Sequence, residues 1–206
     1  MKIKDNARLL FIGDSITDAD RDRSDEHSLS SFSLMVERHL NTLYPYKKVE
    51  VFNRGISGQR SCDLLREFDS QVKHLKPDCV VMLIGINDTW RRYDSADPTS
   101  PEDYYKNVKK IVTGIKKLGA ELMVLEPFIT KADQSKKSYY EDLALKIAEL
   151  RQVCREEKIE YVPLDGMIAE YEISHPEISL SDDSVHPNDF GRAFIASAII
   201  ERLEIL

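Results

Sequence analysis

Short apolar segments alternate along the chain with longer segments of helical periodicity, and this alternation constrains the fold more than any other feature. The apolar segments are "RLLFIG" (8–13), "VEVFN" (49–53), "CVVMLIG" (79–85), "ELMVLEP" (121–127) and "IEYVPL" (159–164). The first and third are continuous apolar runs, which are typical of strands covered on both faces. Five strands of a parallel sheet are therefore predicted.

Amphipathic helices are predicted at 28–44, 61–75, 101–119, 137–158 and about 189–205. No internal repeat, low-complexity tract or linker interrupts the pattern. A chain of 206 residues is long enough to bury one sizeable core. We therefore expect a single α/β domain over residues 1–206, in which helices cover both faces of the sheet.

The net charge and the lengths of the apolar runs exclude several kinds of binding partner and cellular location. The formal charge is −7 and the isoelectric point is about 5.3, which argues against nucleic acid or an anionic membrane surface as a partner. No apolar run approaches the roughly 20 residues of a membrane helix, and residues 9–12 are too short for a signal-peptide core. A cytoplasmic location is expected.

The three cysteines, Cys62, Cys79 and Cys154, are odd in number, widely spaced and without a CxxC pair. The sequence therefore indicates neither a disulfide framework nor a zinc site.

Polar motifs follow the predicted strands, where an open parallel sheet binds its ligands. They read GDSIT, NRGISGQRS, GINDTW and EPFIT, and DDSVHPND precedes the last helix. The first contains Gly13-Asp14-Ser15, which has three interpretations. Asp14 and Ser15 could cap a helix, the acids at 18, 20 and 22 could begin a calcium loop, or Ser15 could be a nucleophile. A calcium loop is disfavoured because Arg23 and Leu29 occupy the positions that require Gly and Glu.

A serine nucleophile needs a base, and His186 is the best candidate among the five histidines. Asp183 precedes it by three residues, so its carboxylate could hold the imidazole Nδ1–H and leave Nε2 to take the serine proton. The alternative is a loop histidine before Pro187, with Asn188 or Asp189 capping the next helix.

A serine nucleophile also needs donors for the oxyanion, and the motifs after strands two and three offer them. Gly58 allows the backbone to approach a ligand closely, and Asn87 offers a side-chain amide. The Ser15 N–H would be the third donor. Considered singly, Gly58 and Asn87 could also be turn-forming residues.

Together these motifs resemble the four blocks of the SGNH hydrolases, the GDSL-like esterase and lipase family. The blocks match "FIGDSIT" (11–17), "NRGISG" (53–58), "IGIND" (84–88) and "DSVHP" (183–187), with isoleucine in place of the usual leucine after GDS. The resemblance implies a three-layer α/β/α sandwich with five parallel strands. It also implies a Ser15–His186–Asp183 triad, an oxyanion hole of Ser15, Gly58 and Asn87, no metal or organic cofactor, and possible homo-oligomers.

Within that family, "LLFIGDSITD", "NRGISG" and "IGINDTWRRYD" look most like intracellular bacterial acetyl xylan esterases. The resemblance implies hydrolysis of short acetyl esters on small-molecule substrates such as xylo-oligosaccharides. Asp14, Trp90 and Tyr93 are candidate substrate contacts, although the two aromatic residues could instead pack a long loop against the domain. The alternatives are a lipolytic or thioester hydrolase and a non-catalytic sugar- or lipid-binding module. The polar segment at 90–101 favours a sugar over a long acyl chain.

Overall fold

The computed structural model describes all 206 residues, and its strands form one large and one small sheet. The strands are β1 (Lys2–Ile3), β2 (Arg8–Gly13), β3 (Glu50–Asn53), β4 (Cys79–Leu83), β5 (Glu121–Leu125), β6 (Glu160–Val162) and β7 (Glu204–Ile205). The large sheet is entirely parallel, in the order β3-β2-β4-β5-β6. The small sheet pairs β1 with β7 and so joins the two ends of the chain.

Nine helices surround the sheet. They are α1 (Ser15–Asp18), α2 (Ser31–Leu43), α3 (Ser61–Arg66), α4 (Phe68–Gln71), α5 (Ile86–Asp94), α6 (Pro101–Lys117), α7 (Tyr139–Glu157), α8 (Leu164–Ser174) and α9 (Asp189–Ile200). Short 3₁₀ turns lie at Pro45–Lys47, Lys73–Leu75 and Gln134–Lys136. None of the helices combines the length and apolar character that a membrane crossing needs.

The core is divided by the sheet because successive side chains of a strand point to opposite faces. Leu9 and Phe11 pack on one face in a cluster that includes residues of α2, α8 and α9. Leu10 and Ile12 pack on the other face with residues of α3, α6 and α7. These three layers confirm the predicted α/β/α sandwich with five parallel strands.

Gly13 ends β2 at a point where no other residue fits. Its φ of +157° is disfavoured for residues with a side chain, and a Cβ there would lie 2.2 Å from the carbonyl oxygen of Leu83. Because β2 and β4 are neighbours, this close approach brings the start of α1 against the end of β4. Ser15 is thereby fixed at the carboxyl edge of the sheet.

Several helices differ from the predicted bounds. The helix predicted over 61–75 is divided into α3, α4 and a 3₁₀ turn, and the one predicted over 189–205 ends at Ile200 before β7. α5 and α8 occupy segments for which no helix was predicted. The segment containing Trp90 is thus mainly helical rather than a long loop, because α5 begins directly after β4 and Gly85, whose φ is +138°.

Candidate active site

Three predicted side chains form a continuous hydrogen-bonded chain at the carboxyl edge of the sheet. Ser15 Oγ lies 2.9 Å from His186 Nε2, and His186 Nδ1 lies 2.7 Å from Asp183 Oδ2. The serine comes from the start of α1, whereas the histidine and aspartate come from the loop before α9. A carboxylate on Nδ1 favours the tautomer in which Nε2 can accept a proton from the serine.

The loop that holds Asp183 is fixed by backbone hydrogen bonds. Asp183 Oδ1 accepts from the N–H of Val185 at 2.9 Å and of His186 at 2.7 Å. Partial burial by itself raises the pKa of Asp183, but the hydrogen bonds from His186 and Val185 outweigh it and hold this pKa well below the usual range. The Asp183 carboxylate therefore stays ionised throughout the mildly acidic range.

Two predicted oxyanion donors lie beside Ser15. Gly58 (φ +82°) and Asn87 line a cavity of about 250 Å³ together with Ser15 and His186. Asn87 is almost fully buried, and its Nδ2 donates to the carbonyl oxygen of Gln59 at 3.1 Å. Because an amide nitrogen carries two hydrogens, one remains for a ligand.

The candidate substrate contacts lie in different environments. Trp90 lines the same cavity, with its ring centroid 6.1 Å from that of His186. Tyr93 lies outside it: its ring stacks on Tyr139 at 4.1 Å and its hydroxyl donates to the carbonyl oxygen of Ser138. Asp14 is 1% exposed and lines no cavity at the site. Of the three, the structure brings only Trp90 to the cavity wall.

Asp14 instead caps α1 from within the protein. Its Oδ1 accepts from the N–H of Ile16 at 3.0 Å, while its Oδ2 is buried without a partner. Burial, with a further contribution from the nearby Asp88 carboxylate, raises the pKa of Asp14 from 3.8 to about 7. Asp14 is therefore a helix cap whose ionisation destabilises the folded protein.

This burial predicts a pH-dependent stability difference between the wild type and Asp14→Asn. Between pH 3.8 and about 7, the Asp14 carboxyl of the folded wild type keeps a proton that the unfolded chain has released. The free energy of unfolding of the wild type therefore falls as the pH rises through this range, and the loss is complete above about pH 7. Each pKa unit corresponds to about 1.4 kcal/mol. Asparagine keeps the capping oxygen without the charge, so we expect the stability of the variant relative to wild type to increase towards pH 8.

Urea unfolding of both proteins at several pH values from about 5 to 8 measures this difference. Buried acids that are not coupled to Asp14, such as Asp165, cancel in the comparison because both proteins contain them. A stability difference that is independent of pH would show that Asp14 is ionised in the folded state throughout this range.

Several cavity residues were missed by the sequence analysis. Arg91 and Asp94 form a salt bridge and line the cavity with Asn87 and Trp90. These four residues have the spacing i, i+3, i+4 and i+7 and therefore occupy one face of α5. Recognition of that helix would have revealed them.

A second cavity of about 270 Å³ also reaches Ser15 and His186. Its other lining residues are Ile16, Ala19, Asp20, Ser31, Ser57, Pro187 and Arg192.

Asp18, the first of the acidic residues after Ser15, stabilises the loop itself. Asp18 is buried, forms ion pairs with Arg21 and Arg23, and accepts from the Ser57 hydroxyl at 2.7 Å. This arrangement agrees with the salt-bridged interpretation that was preferred over a calcium loop. No group of three or more His, Cys, Asp or Glu side chains is placed to bind a metal ion.

Comparison with known proteins gives concordant results. The model of the GDSL-like Lipase/Acylhydrolase family matches residues 11–194. An acetylxylan esterase from Geobacillus stearothermophilus is 30% identical over 98% of this chain and 96% of its own. An arylesterase from Vibrio mimicus is 24% identical over 95% and 88%, respectively.

Solved structures give the same result at the level of the fold. A catalytic mutant of Axe2, an acetylxylan esterase from Geobacillus stearothermophilus, has a TM-score of 0.89 and 28% identity, covering 99% of this chain and 98% of its own. LAE5, an alpha/beta hydrolase enzyme from the metagenome of Lake Arreo in Spain, has a TM-score of 0.86 and 28% identity, with coverages of 96% and 95%. This chain therefore belongs to the GDSL-like lipase/acylhydrolase family and is a carboxylic ester hydrolase.

Proposed function

We propose that this enzyme removes acetyl groups from carbohydrate esters such as acetylated xylo-oligosaccharides, through an acyl-enzyme formed on Ser15. The observation that carries the proposal is the hydrogen-bonded chain Ser15–His186–Asp183. Ser15 and His186 line two small cavities whose other lining residues are mainly polar. The similarity to an acetylxylan esterase over nearly the whole chain supports the substrate class.

In the first half of the reaction, Ser15 Oγ attacks the ester carbonyl carbon while His186 Nε2 accepts the hydroxyl proton. The Asp183 carboxylate holds the ring in position and stabilises the imidazolium that forms. The tetrahedral intermediate then expels the sugar oxygen, which takes the proton from Nε2. Acetate is left esterified to Ser15, and the sugar hydroxyl leaves.

The second half repeats the relay with water. A water molecule that has replaced the sugar loses a proton to His186 Nε2 and attacks the acyl carbon. When this tetrahedral intermediate collapses, the bond to Ser15 Oγ breaks, the proton returns to the serine, and acetic acid is released.

The proposed oxyanion hole consists of the N–H groups of Ser15 and Gly58 and the second Nδ2 hydrogen of Asn87. Because the Asn87 amide is already held by the Gln59 carbonyl, it needs little reorganisation as negative charge develops. Fixed donors of this kind stabilise the transition state more than the ground state.

We expect Asn87→Ala to lower kcat by about 10²- to 10³-fold with a much smaller change in KM, because one oxyanion donor contributes about 3 kcal/mol in the transition state. Steady-state hydrolysis of p-nitrophenyl acetate measures the effect. Asn41→Ala is a matched control, since Asn41 lies on α2 and its amide bonds only to Glu37. An equal rise in KM with kcat preserved would assign Asn87 to substrate binding instead.

The size and lining of the cavities favour a short acyl group. A long acyl chain needs an extended apolar groove, whereas the cavity beside Asn87 includes Arg91 and Asp94, and the second includes Asp20 and Arg192. Such side chains are suited to hydrogen bonds with sugar hydroxyls. The indole ring of Trp90 offers the one large apolar surface in the cavity beside Asn87.

Acetate release from acetylated xylo-oligosaccharides, followed by NMR, tests this function. We expect release by the wild type and a preference for p-nitrophenyl acetate over the octanoate ester. Hydrolysis of p-nitrophenyl acetate without release from the oligosaccharides would overturn the xylan assignment and keep the esterase mechanism. A preference for octanoate would favour the lipolytic alternative.

A further inference from the structure

A third cavity lies beyond the carboxyl end of β5, between the segment that follows this strand and α8, apart from the two that reach Ser15. Its volume is about 330 Å³, within the range of roughly 300–1,000 Å³ for small-molecule sites, and it shares no lining residue with the other two. We call it the β5–α8 cavity. Its walls come from the segment after β5, from the start of α7 and from one face of α8. The lining residues are Ile129, Thr130, Lys131, Asp133, Gln134, Lys137, Tyr140, Ala169, Glu172 and Ile173.

One part of the β5–α8 cavity is apolar and includes a fixed aromatic ring. Tyr140 is 45% exposed, and its hydroxyl donates to Asp165 Oδ2 at 2.6 Å, so the ring is held in place. Ile173 is 80% exposed, and Ile129 lines the same cavity. A fixed aromatic ring beside aliphatic side chains is a surface on which an apolar ligand face can stack.

The polar part of the cavity has unused hydrogen-bonding capacity. Glu172 and Thr130 are more than nine-tenths buried, yet Glu172 Oε1 and Thr130 Oγ1 have no partner. A buried polar atom without a partner typically costs about 1–3 kcal/mol. Both atoms are screened from solvent, so the hydroxyl groups of a ligand in the cavity supply the missing hydrogen bonds once the Thr130 or Glu172 side chain rotates towards them.

The residues that line the cavity carry two positive and two negative charges, and Asp133 is also paired with Lys136 outside the lining, at 2.9 Å. Lys131 and Lys137 line it together with Asp133 and Glu172. Lys131 Nζ already donates to the carbonyl oxygens of Glu172 and Pro176, at 3.2 and 2.9 Å. A cavity with equal numbers of positive and negative groups favours a neutral ligand over an anion or a cation.

From this combination we infer that the β5–α8 cavity is a second binding site, which takes a neutral pyranose unit. A pyranose has an apolar ring face, which fits Tyr140, and hydroxyl groups, which fit Glu172 and Thr130. The choice of a sugar among neutral polyols rests on the proposed function, whereas the location of the site does not.

The site lies beside the catalytic loop. The N–H groups of Thr130 and Asp133 donate to the carbonyl and hydroxyl oxygens of Ser184, at 2.9 and 2.6 Å. Lys136 donates to the carbonyl oxygen of Asp183 at 2.7 Å, and its Nζ lies 5.2 Å from the centre of the Trp90 ring. Residues that line the β5–α8 cavity therefore contact the loop between Asp183 and His186, and Lys136 links that loop to Trp90.

Titration of the ¹⁵N-labelled protein with unacetylated xylobiose, followed by amide chemical shifts, tests this site. We expect saturable shifts at 129–131 and 169–173, with a Kd of about 1 mM, as suits a small ligand with few contacts. Tyr140→Ala should weaken this binding at least about tenfold through loss of the stacking surface. Tyr46→Ala, which removes a tyrosine that is 65% exposed in the turn after α2, should leave it unchanged.

A second pair of variants keeps the site testable if Tyr140→Ala does not fold. Ile173→Lys should also weaken xylobiose binding because it places charge and bulk in the cavity mouth, and the high exposure of Ile173 spares the core. Leu145→Lys, on an exposed position of α7 outside the cavity, is its control. Hydrolysis of p-nitrophenyl acetate should be the same in all four variants.

Shifts confined to residues around Ser15 and Asn87, or no saturable shifts up to about 50 mM, a concentration well above a millimolar Kd, would overturn the second site. Binding that survives both Tyr140→Ala and Ile173→Lys would do the same. Because the readout is binding of an unacetylated sugar, these outcomes are independent of acetate release. Failure of this proposal is thus distinguishable from failure of the proposed function.

Discussion

Replacement of Ser15 by alanine is expected to lower kcat for acetyl ester hydrolysis by at least about 10⁴-fold, the range found for nucleophiles of catalytic triads. The substitution removes the only hydroxyl within hydrogen-bonding distance of His186 Nε2. Without it no acyl-enzyme can form, and only slow attack by water remains. KM should change little, since the cavity walls and the backbone N–H of residue 15 are retained.

The measurement is hydrolysis of p-nitrophenyl acetate, with far-ultraviolet circular dichroism to show that the variant is folded. Ser70→Ala is the control, because Ser70 lies on the surface in α4 and its hydroxyl bonds only to the Glu67 carbonyl. A fluorophosphonate should label the wild type on the peptide that contains residue 15 and should not label Ser15→Ala. Label on another serine, or activity retained above about 1% of wild type, would assign the nucleophile elsewhere.

The proximity of Ser15, Gly58 and Asn87 could be predicted from two regular features of the fold, buried strands and a parallel sheet. β2 and β4 are covered on both faces, so they appear in the sequence as continuous apolar runs. All five strands of the large sheet are parallel, so the motifs that follow β2, β3 and β4 meet at one edge. Short polar motifs at known strand ends therefore predict proximity, even though they are far apart in the chain.

The helix α5 could not be predicted in the same way. Three of its four buried residues, Asn87, Asp88 and Thr89, are polar, and the apolar residues at 86, 90 and 93 continue the helical spacing for only about two turns, which is too short to distinguish a helix from a loop. Asp88 is held by the backbone N–H and the hydroxyl of Ser61, at 2.9 and 2.6 Å. Such a helix is stabilised by specific tertiary hydrogen bonds rather than by local propensity.

The same reason explains why the direction of individual side chains was harder to predict than their neighbourhood. Trp90 and Tyr93 are three residues apart on α5, yet only Trp90 faces the cavity. Tyr93 is turned towards α7, where Tyr139 offers a stacking partner that no local pattern reveals. Residues three apart on a helix differ in direction by only about 60°, so a small difference in helical phase decides which of the two faces the cavity.

Replacement of Asp183 by asparagine is expected to lower kcat by about 10⁴-fold while leaving the fold intact. The physical reason is the imidazole tautomer. The two backbone N–H groups of Val185 and His186 both donate to Oδ1, so the remaining oxygen of asparagine will take that position. The amide NH₂ group then faces His186 Nδ1 in place of Oδ2. A donor there favours the ring with its proton on Nε2, which cannot accept the proton of Ser15.

The matched control is Asp182→Asn, because Asp182 is the adjacent acid and accepts only from Asn188 Nδ2, at 3.2 Å. Its kcat should stay near that of the wild type, which separates the effect of the tautomer from loss of one negative charge on this loop. In the wild type, the pKa of Asp183 is held well below the usual range of an aspartate. Acid therefore cannot cause the same loss of kcat by protonating this carboxylate until the pH falls well below that range. Asp183→Asn with kcat within about tenfold of the wild type would show that another group orients His186. The hydrogen bond to Asp183 would then serve only to close the loop before α9.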